Sequence, residues 1–311
     1  MFQKIHLFLN NKYLIMERKI KKVLIIGAGT MGWQLAQIFD QNRFEVCLSD
    51  ISGEQLERAQ QQSRKNLEGR VAKGKLNPEK KDRIIQAITY TKEWATIITD
   101  VDLVIEAVPE KIDLKRKIFA QLAEKVAEGT ICGSNSSTIA ISKIVEGLPK
   151  KFTDYACNIH FSNPPLRLHL VELYSFSKNE ELLKFLKRTF RKMQYDPVIL
   201  QEPVSGFLMN RILGASMIET FNLLERKVAS PEDIDTACTA GLNWPLGICR
   251  ICDLVGLDIV LHSIEAVYEE TKMDYMKPNP LLLNLVKQNK LGWKTGEGIY
   301  RYHPLQENEG L

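Results

Sequence analysis

Apolar positions in this chain fall into short blocks set between charged stretches, and the spacing within each block predicts what it forms. The β-branched run from Val23 to Ile26 and the run FEVCLSD ending at Asp50 are continuous rather than alternating, which predicts strands buried on both faces. VDLVIEAVPE predicts another strand, ending at Pro109 and Glu110, and TICGSNSST a further one after a helix around residues 112–127. YACNIHF predicts a strand ending near His160 and HLVELY one ending just past Glu172, with the turn-prone SNPPLR between them. Residues 54–92 interrupt the alternation as two charged helices joined near Gly74 and Pro78, a helical hairpin inserted between strands. From Gly206 onward the apolar spacing is helical and no further strand is clear, so a domain boundary falls near residue 203.

The first strand runs directly into GAGTMG and then into the helical stretch WQLAQIFDQN. Gly27, Gly29 and Gly32 occupy the three glycine positions of G-x-G-x-x-G, with Thr30 and Met31 between the last two. In that pattern the first glycine makes a tight turn, the second admits a pyrophosphate to the backbone, and the third lets helix and strand pack closely. Asp50 closes the next strand eighteen residues beyond Gly32, where a carboxylate binds the adenine ribose and repels a 2′-phosphate, so the expected cofactor is NAD. The fold class that follows is α/β: a doubly wound Rossmann-type domain over residues 17–203 with an inserted helical hairpin, then an all-helical domain over 204–311.

Composition narrows the partners. The formal charge of +4 over 311 residues is too small to argue for nucleic acid, and the apolar run near the N-terminus is too short to span a membrane. No small-residue cleavage site follows that run. Met16 precedes ERKIKKVLIIGAG, so residues 1–16 read as an extension with a start at Met16. Six scattered cysteines lack the spacing of a disulfide framework, which points to a reducing compartment, the cytoplasm. Cys249 and Cys252 form an isolated C-x-x-C within a helix, better explained by packing than by a metal.

Candidate chemistry gathers at strand ends, where open parallel sheets bind ligands. Glu110, Lys115, Asn135 and Ser137 stand there, although Ser137 also suits a helix cap. Paired strands would bring His160 to Glu172, as a general base oriented by a carboxylate or as a structural histidine satisfied by one. Asn210 sits among apolar neighbours in GFLMNRILGAS and needs a hydrogen-bond partner, either the core backbone or a ligand. Residues 64–83 carry eight basic against three acidic side chains, a solvated surface on the plainest reading.

Taken together, GAGTMG, SNSST, HFSNPPLRLHLVE, GFLMNR and the terminal LGWKTGEGIYRY resemble the 3-hydroxyacyl-CoA dehydrogenases, over roughly residues 20–303. The resemblance implies NAD-dependent, reversible oxidation of (S)-3-hydroxyacyl-CoA to 3-ketoacyl-CoA without a metal, as in fatty-acid β-oxidation, with short chains such as 3-hydroxybutyryl-CoA among the substrates. It implies His160 as the base, Glu172 as its orienting partner, and Ser137 and Asn210 as hydrogen-bond partners of the substrate oxygen. It places Glu110, Lys115, Asn135, Asn163 and Lys294 near NAD, and Asn66 and Lys73 of the hairpin at acyl-CoA. It also implies a homodimer formed through the helical domain. NPP and the DLVIEAVPEKIDLKRKIF stretch are similar to branches acting on free hydroxy acids or diketones, which is the alternative substrate class; a non-catalytic NAD-binding relative is the other alternative.

Overall fold

The computed structural model describes residues 19–302, so the extension over residues 1–16 and the start at Met16 lie outside the described residues. The chain divides into two compact units, one through Pro203 and one from Val204.

The first unit is built on one eight-stranded sheet. Its elements begin with β1 (Lys22–Ile26), α1 (Thr30–Gln41), β2 (Glu45–Ser49), α2 (Gly53–Ala72), α3 (Pro78–Ala87), β3 (Thr89–Thr91) and β4 (Leu103–Glu106). There follow α4 (Ile112–Lys125), β5 (Ile131–Ser134), the short α5 (Ile141–Ile144) and α6 (Lys150–Thr153), β6 (Ala156–Phe161), β7 (Leu170–Ser175), α7 (Glu180–Lys192) and β8 (Asp196–Ile199). The strand order is β3-β2-β1-β4-β5-β6-β7-β8, parallel except for the antiparallel pair β6–β7. Order reverses between β1 and β4, and that reversal opens a crevice at the strands' carboxyl ends. Val23, Leu24, Ile25 and Ile26 are all buried, as a central strand covered on both faces requires.

β4 ends at Glu106, four residues earlier than the sequence pattern suggests, because Ala107 to Glu110 turn away to begin α4. The short strands β3 and β8 were not expected. Three residues in β3 are too few for a period to show, and β8 carries Pro197, which withdraws a donor.

The hairpin of α2 and α3 forms as expected. Ser52 caps α2 by accepting the Gln55 N–H, and Asn77 caps α3 ahead of Pro78. Leu56, Ala59, Ser63 and Leu67 form the buried stripe of α2 at helical spacing, and the charged positions face outward. Gln37 of α1 ties the hairpin down, donating to Asn66 Oδ1 at 2.9 Å and accepting from Ser63 Oγ at 3.0 Å.

The second unit is helical: α8 (Phe207–Glu225), α9 (Pro231–Thr236), α10 (Ile248–Val255), α11 (Leu257–Thr271) and α12 (Pro280–Lys287), with short turns between them. Cys249 and Cys252 of α10 are fully buried among Met217, Phe221, Val260 and Ile264, and burial pushes both thiols up. The terminal LGWKTGEGIYRY wraps around one carboxylate. Asp253 accepts the Ile299 and Tyr300 N–H groups, both at 2.8 Å, and the Tyr302 hydroxyl at 2.9 Å. Gly292 and Gly298 are glycines because a Cβ would lie 2.2 Å from Asp253 atoms in each case. Asp253→Ala would leave three part-buried donors without this acceptor, so we expect a loss of about 2 kcal/mol or more in chemical denaturation. An unchanged midpoint would show that the terminal segment is held by its apolar contacts alone.

Candidate active site

The glycine loop separates into two kinds of position. Gly27 has φ +106°, and a Cβ there would come within 2.6 Å of the Ala107 carbonyl; a Cβ on Gly32 would stand 1.8 Å from the Gly27 carbonyl. Those two glycines are required by the fold. Gly29 is not: its φ of −69° suits any residue, and a Cβ would meet no protein atom within 4 Å. It stands at the N-cap of α1 without a side-chain cap, and the first turn of that helix carries no acidic residue. Open space beside uncapped helix N–H groups fits a pyrophosphate, which glycine alone leaves room for.

Asp50 stands one strand over and is fixed in place, its Oδ2 accepting the Ala28 N–H at 2.8 Å and its Oδ1 the Ser52 N–H at 2.9 Å. A rigid carboxylate at the end of β2 suits two ribose hydroxyls and repels a 2′-phosphate. NADH should therefore be strongly preferred to NADPH, and Asp50→Ser should narrow the preference when the two efficiencies are compared. Equal efficiencies in the unmutated protein would contradict this.

His160 and Glu172 are directly opposed in the β6–β7 register. Adjacent antiparallel residues project to the same face, which converts a sequence separation of twelve into contact. His160 Nδ1 lies 2.9 Å from Glu172 Oε2, with His160 5% exposed and Glu172 0%. The carboxylate selects the tautomer carrying its proton on Nδ1, so the lone pair that takes a proton is on Nε2. Asn135 fixes the end of this strand from the neighbouring loop, its Oδ1 accepting the Phe161 N–H at 3.0 Å. Asn163 follows in the exposed connection, at a cis bond to Pro164.

The SNSST loop assigns its hydroxyls unequally. Ser134 Oγ donates to Glu106 Oε2 at 2.6 Å, Ser136 Oγ to Glu110 Oε1, and Thr138 Oγ1 to Glu110 Oε1 at 2.8 Å. Ser137 is half-buried, and its hydroxyl makes no hydrogen bond among the described residues. Nor does it cap a helix: α5 begins after Ala140, which supplies no side-chain cap. The helix-cap expectation for Ser137 is thus corrected.

Glu110 and Lys115 meet in an ion-pair network that sequence reasoning did not foresee. Lys115 is 1% exposed, and its ammonium has three oxygens around it: Glu106 Oε1 at 2.7 Å, Glu110 Oε2 at 3.2 Å and the Val108 carbonyl at 3.3 Å. All three oxygens belong to its own unit. Burial works against ionisation of Glu110, but the Lys115 charge and the donors Ser136 and Thr138 outweigh it and hold this carboxyl below the usual range. Glu106, Ser134, Ser136 and Thr138 are the members missed; the available signal was an acid ending an apolar strand with a lysine nine residues later.

In the hairpin, Asn66 is half-buried and engaged with Gln37, while Lys73 is exposed at the end of α2. In the second unit Asn210 lies half-buried on α8, and its amide makes no hydrogen bond among the described residues. Lys294 pairs with both oxygens of Asp258 at 2.6 Å. Among the described residues no group of three His, Cys, Asp or Glu side chains is placed to hold a metal ion, and no described helix is long and apolar enough to cross a membrane.

A reversed parallel sheet, a glycine loop with an open second position and a fixed acid at the end of β2 define an NAD-binding dehydrogenase domain. Comparison with known proteins carries this to a family. The 3-hydroxyacyl-CoA dehydrogenase NAD binding domain matches residues 22–203 and the C-terminal domain of the same family matches residues 206–302; the chain belongs to that family. It is 33% identical over 296 residues to the mitochondrial hydroxyacyl-coenzyme A dehydrogenase of Mus musculus, covering 91% of each chain. The (S)-3-hydroxybutyryl-CoA dehydrogenase structure from Ralstonia eutropha superposes with a TM-score of 0.85 at 31% identity, covering 92% of this chain and all of that one. A diketoreductase structure aligns with a TM-score of 0.79 at 27% identity, over 92% of this chain and all of that one.

Proposed function

We propose that this protein oxidises (S)-3-hydroxyacyl-CoA to 3-ketoacyl-CoA reversibly with NAD, on short chains such as 3-hydroxybutyryl-CoA. The observation that carries the reading is the buried His160–Glu172 pair at the end of β6. NAD, when bound, accepts the hydride that leaves C3. His160 Nε2 takes the proton of the 3-hydroxyl as the carbon–oxygen bond becomes a carbonyl, and Glu172 stabilises the imidazolium that forms. In reduction the imidazolium returns that proton to the forming alcohol. By the likeness of SNSST and GFLMNR to the family's motifs, Ser137 and Asn210 are each assigned as a hydrogen-bond partner of the substrate. Gly29, Thr30, Met31, Asp50, Glu110, Asn135, Asn163 and Lys294 are assigned to the cofactor, and Asn66 and Lys73 to the CoA arm, where basic side chains suit its phosphates.

The subunit is proposed to dimerise through the helical unit, which exposes Ile212, Leu254 and Ile259. A reducing compartment, the cytoplasm, suits its six free thiols.

The likeness to a diketoreductase supports a second reading, reduction of a small dicarbonyl compound without CoA. A substrate panel with NADH separates them: acetoacetyl-CoA, a longer 3-ketoacyl-CoA, free acetoacetate and a diketo ester. The first reading expects the highest efficiency with acetoacetyl-CoA and a Michaelis constant for it that rises with salt. Preference for the free diketone overturns it.

A further inference from the structure

Glu106 is fully buried at the end of β4, between Ile26 of β1 and Ser134 of β5. Burying a carboxylate there is unfavourable by several kcal/mol unless every lone pair is matched, and an apolar residue would serve stability as well. Three donors meet its two oxygens. Oε1 accepts Lys115 Nζ at 2.7 Å and the Val108 N–H at 2.8 Å, and Oε2 accepts Ser134 Oγ at 2.6 Å from its register partner on β5. The same Ser134 oxygen accepts the Ser136 N–H at 3.2 Å, and the Glu106 carbonyl accepts the Asn135 N–H at 2.8 Å. The circuit then closes on the far side: Lys115 reaches Glu110 at 3.2 Å, and Glu110 Oε1 gathers Ser136 Oγ together with the N–H and hydroxyl of Thr138.

Both neighbours of Ser137 are therefore fixed on one closed circuit, and Ser137 is the only hydroxyl of the motif that the circuit does not use. We propose that Glu106 is a positioning residue, whose bonds through Ser134, Lys115 and Glu110 set the SNSST loop so that the Ser137 hydroxyl faces the reacting oxygen. The inference rests on Ser137 as a substrate contact. It deepens that reading by naming what aims the Ser137 hydroxyl.

The test is a double-mutant cycle in the full-length enzyme with acetoacetyl-CoA and NADH. Glu106→Gln and Ser134→Ala are each made alone and with Ser137→Ala, and kcat, the Michaelis constant, the NADH Kd and the melting temperature are measured. Ser134→Ala leaves the ion pair in place, so it reads the link to the loop even if Glu106→Gln folds poorly. A misplacement approaching 1 Å lowers turnover by about ten- to a hundredfold, and we expect a loss in that range from Ser134→Ala with the NADH Kd nearly unchanged. In the Ser137→Ala background the same substitution should lower kcat by less than about twofold, because its route to the substrate is gone. An equal factor in both backgrounds overturns the positioning role while leaving Ser137 as a substrate contact. Unchanged turnover in Ser137→Ala alone overturns both.

Discussion

His160→Gln should lower turnover of acetoacetyl-CoA by about a hundredfold or more while NADH binds as before. Glutamine approximates the size of the ring and can still donate toward Glu172, so the core around β6 and β7 is kept. It cannot carry a proton between the 3-oxygen and the enzyme. The loss belongs to kcat because the imidazole acts on the substrate proton, which moves only in the chemical step. Glu172→Gln should also lose activity: it preserves the shape of the pair but no longer stabilises a charged ring held 2.9 Å away. A folded His160→Gln protein with near-normal turnover would remove His160 from the mechanism and leave the pair as a packing feature of the sheet.

The glycine loop gives the second large effect, and Gly32 and Gly29 should fail differently. Gly32→Ala puts a Cβ 1.8 Å from the Gly27 carbonyl, which lies in backbone and cannot swing aside, so the variant should lose stability and NADH binding together. Gly29→Val meets no protein atom at its Cβ, so its melting temperature should stay close to that of the unmutated chain. Its NADH Kd should nevertheless rise by tenfold or more, about 1.4 kcal/mol, because the branched side chain takes the space left for the pyrophosphate. Fluorescence titration and thermal unfolding on the same preparations check both halves. A Gly29→Val protein that binds NADH normally would place the dinucleotide elsewhere.

Most of the first unit was legible because buried parallel strands are long apolar runs and the loops between them carry glycine, proline and charge. The meeting of His160 with Glu172 was open to inference from two strands and a turn, but not the register that makes them direct partners. The network around Glu106 was not legible. It joins residues from two strand ends and a helix, and no local period marks a lysine that turns inward. The sequence also offered four hydroxyls between Ser134 and Thr138 without saying which one the fold leaves unused. That distinction depends on where Glu106 and Glu110 sit, and so on the pairing of β4 with β5.

Hydride from C3 of a 3-hydroxyacyl-CoA should pass to NAD, and an isotope label at that carbon follows it. The enzyme is given (S)-3-hydroxybutyryl-CoA carrying deuterium at C3, with NAD, and both products are weighed by mass spectrometry. The expected products are acetoacetyl-CoA without the C3 deuterium and reduced cofactor heavier by the one deuterium it received. Absence of reduced cofactor, or reduced cofactor without the label, would contradict that transfer.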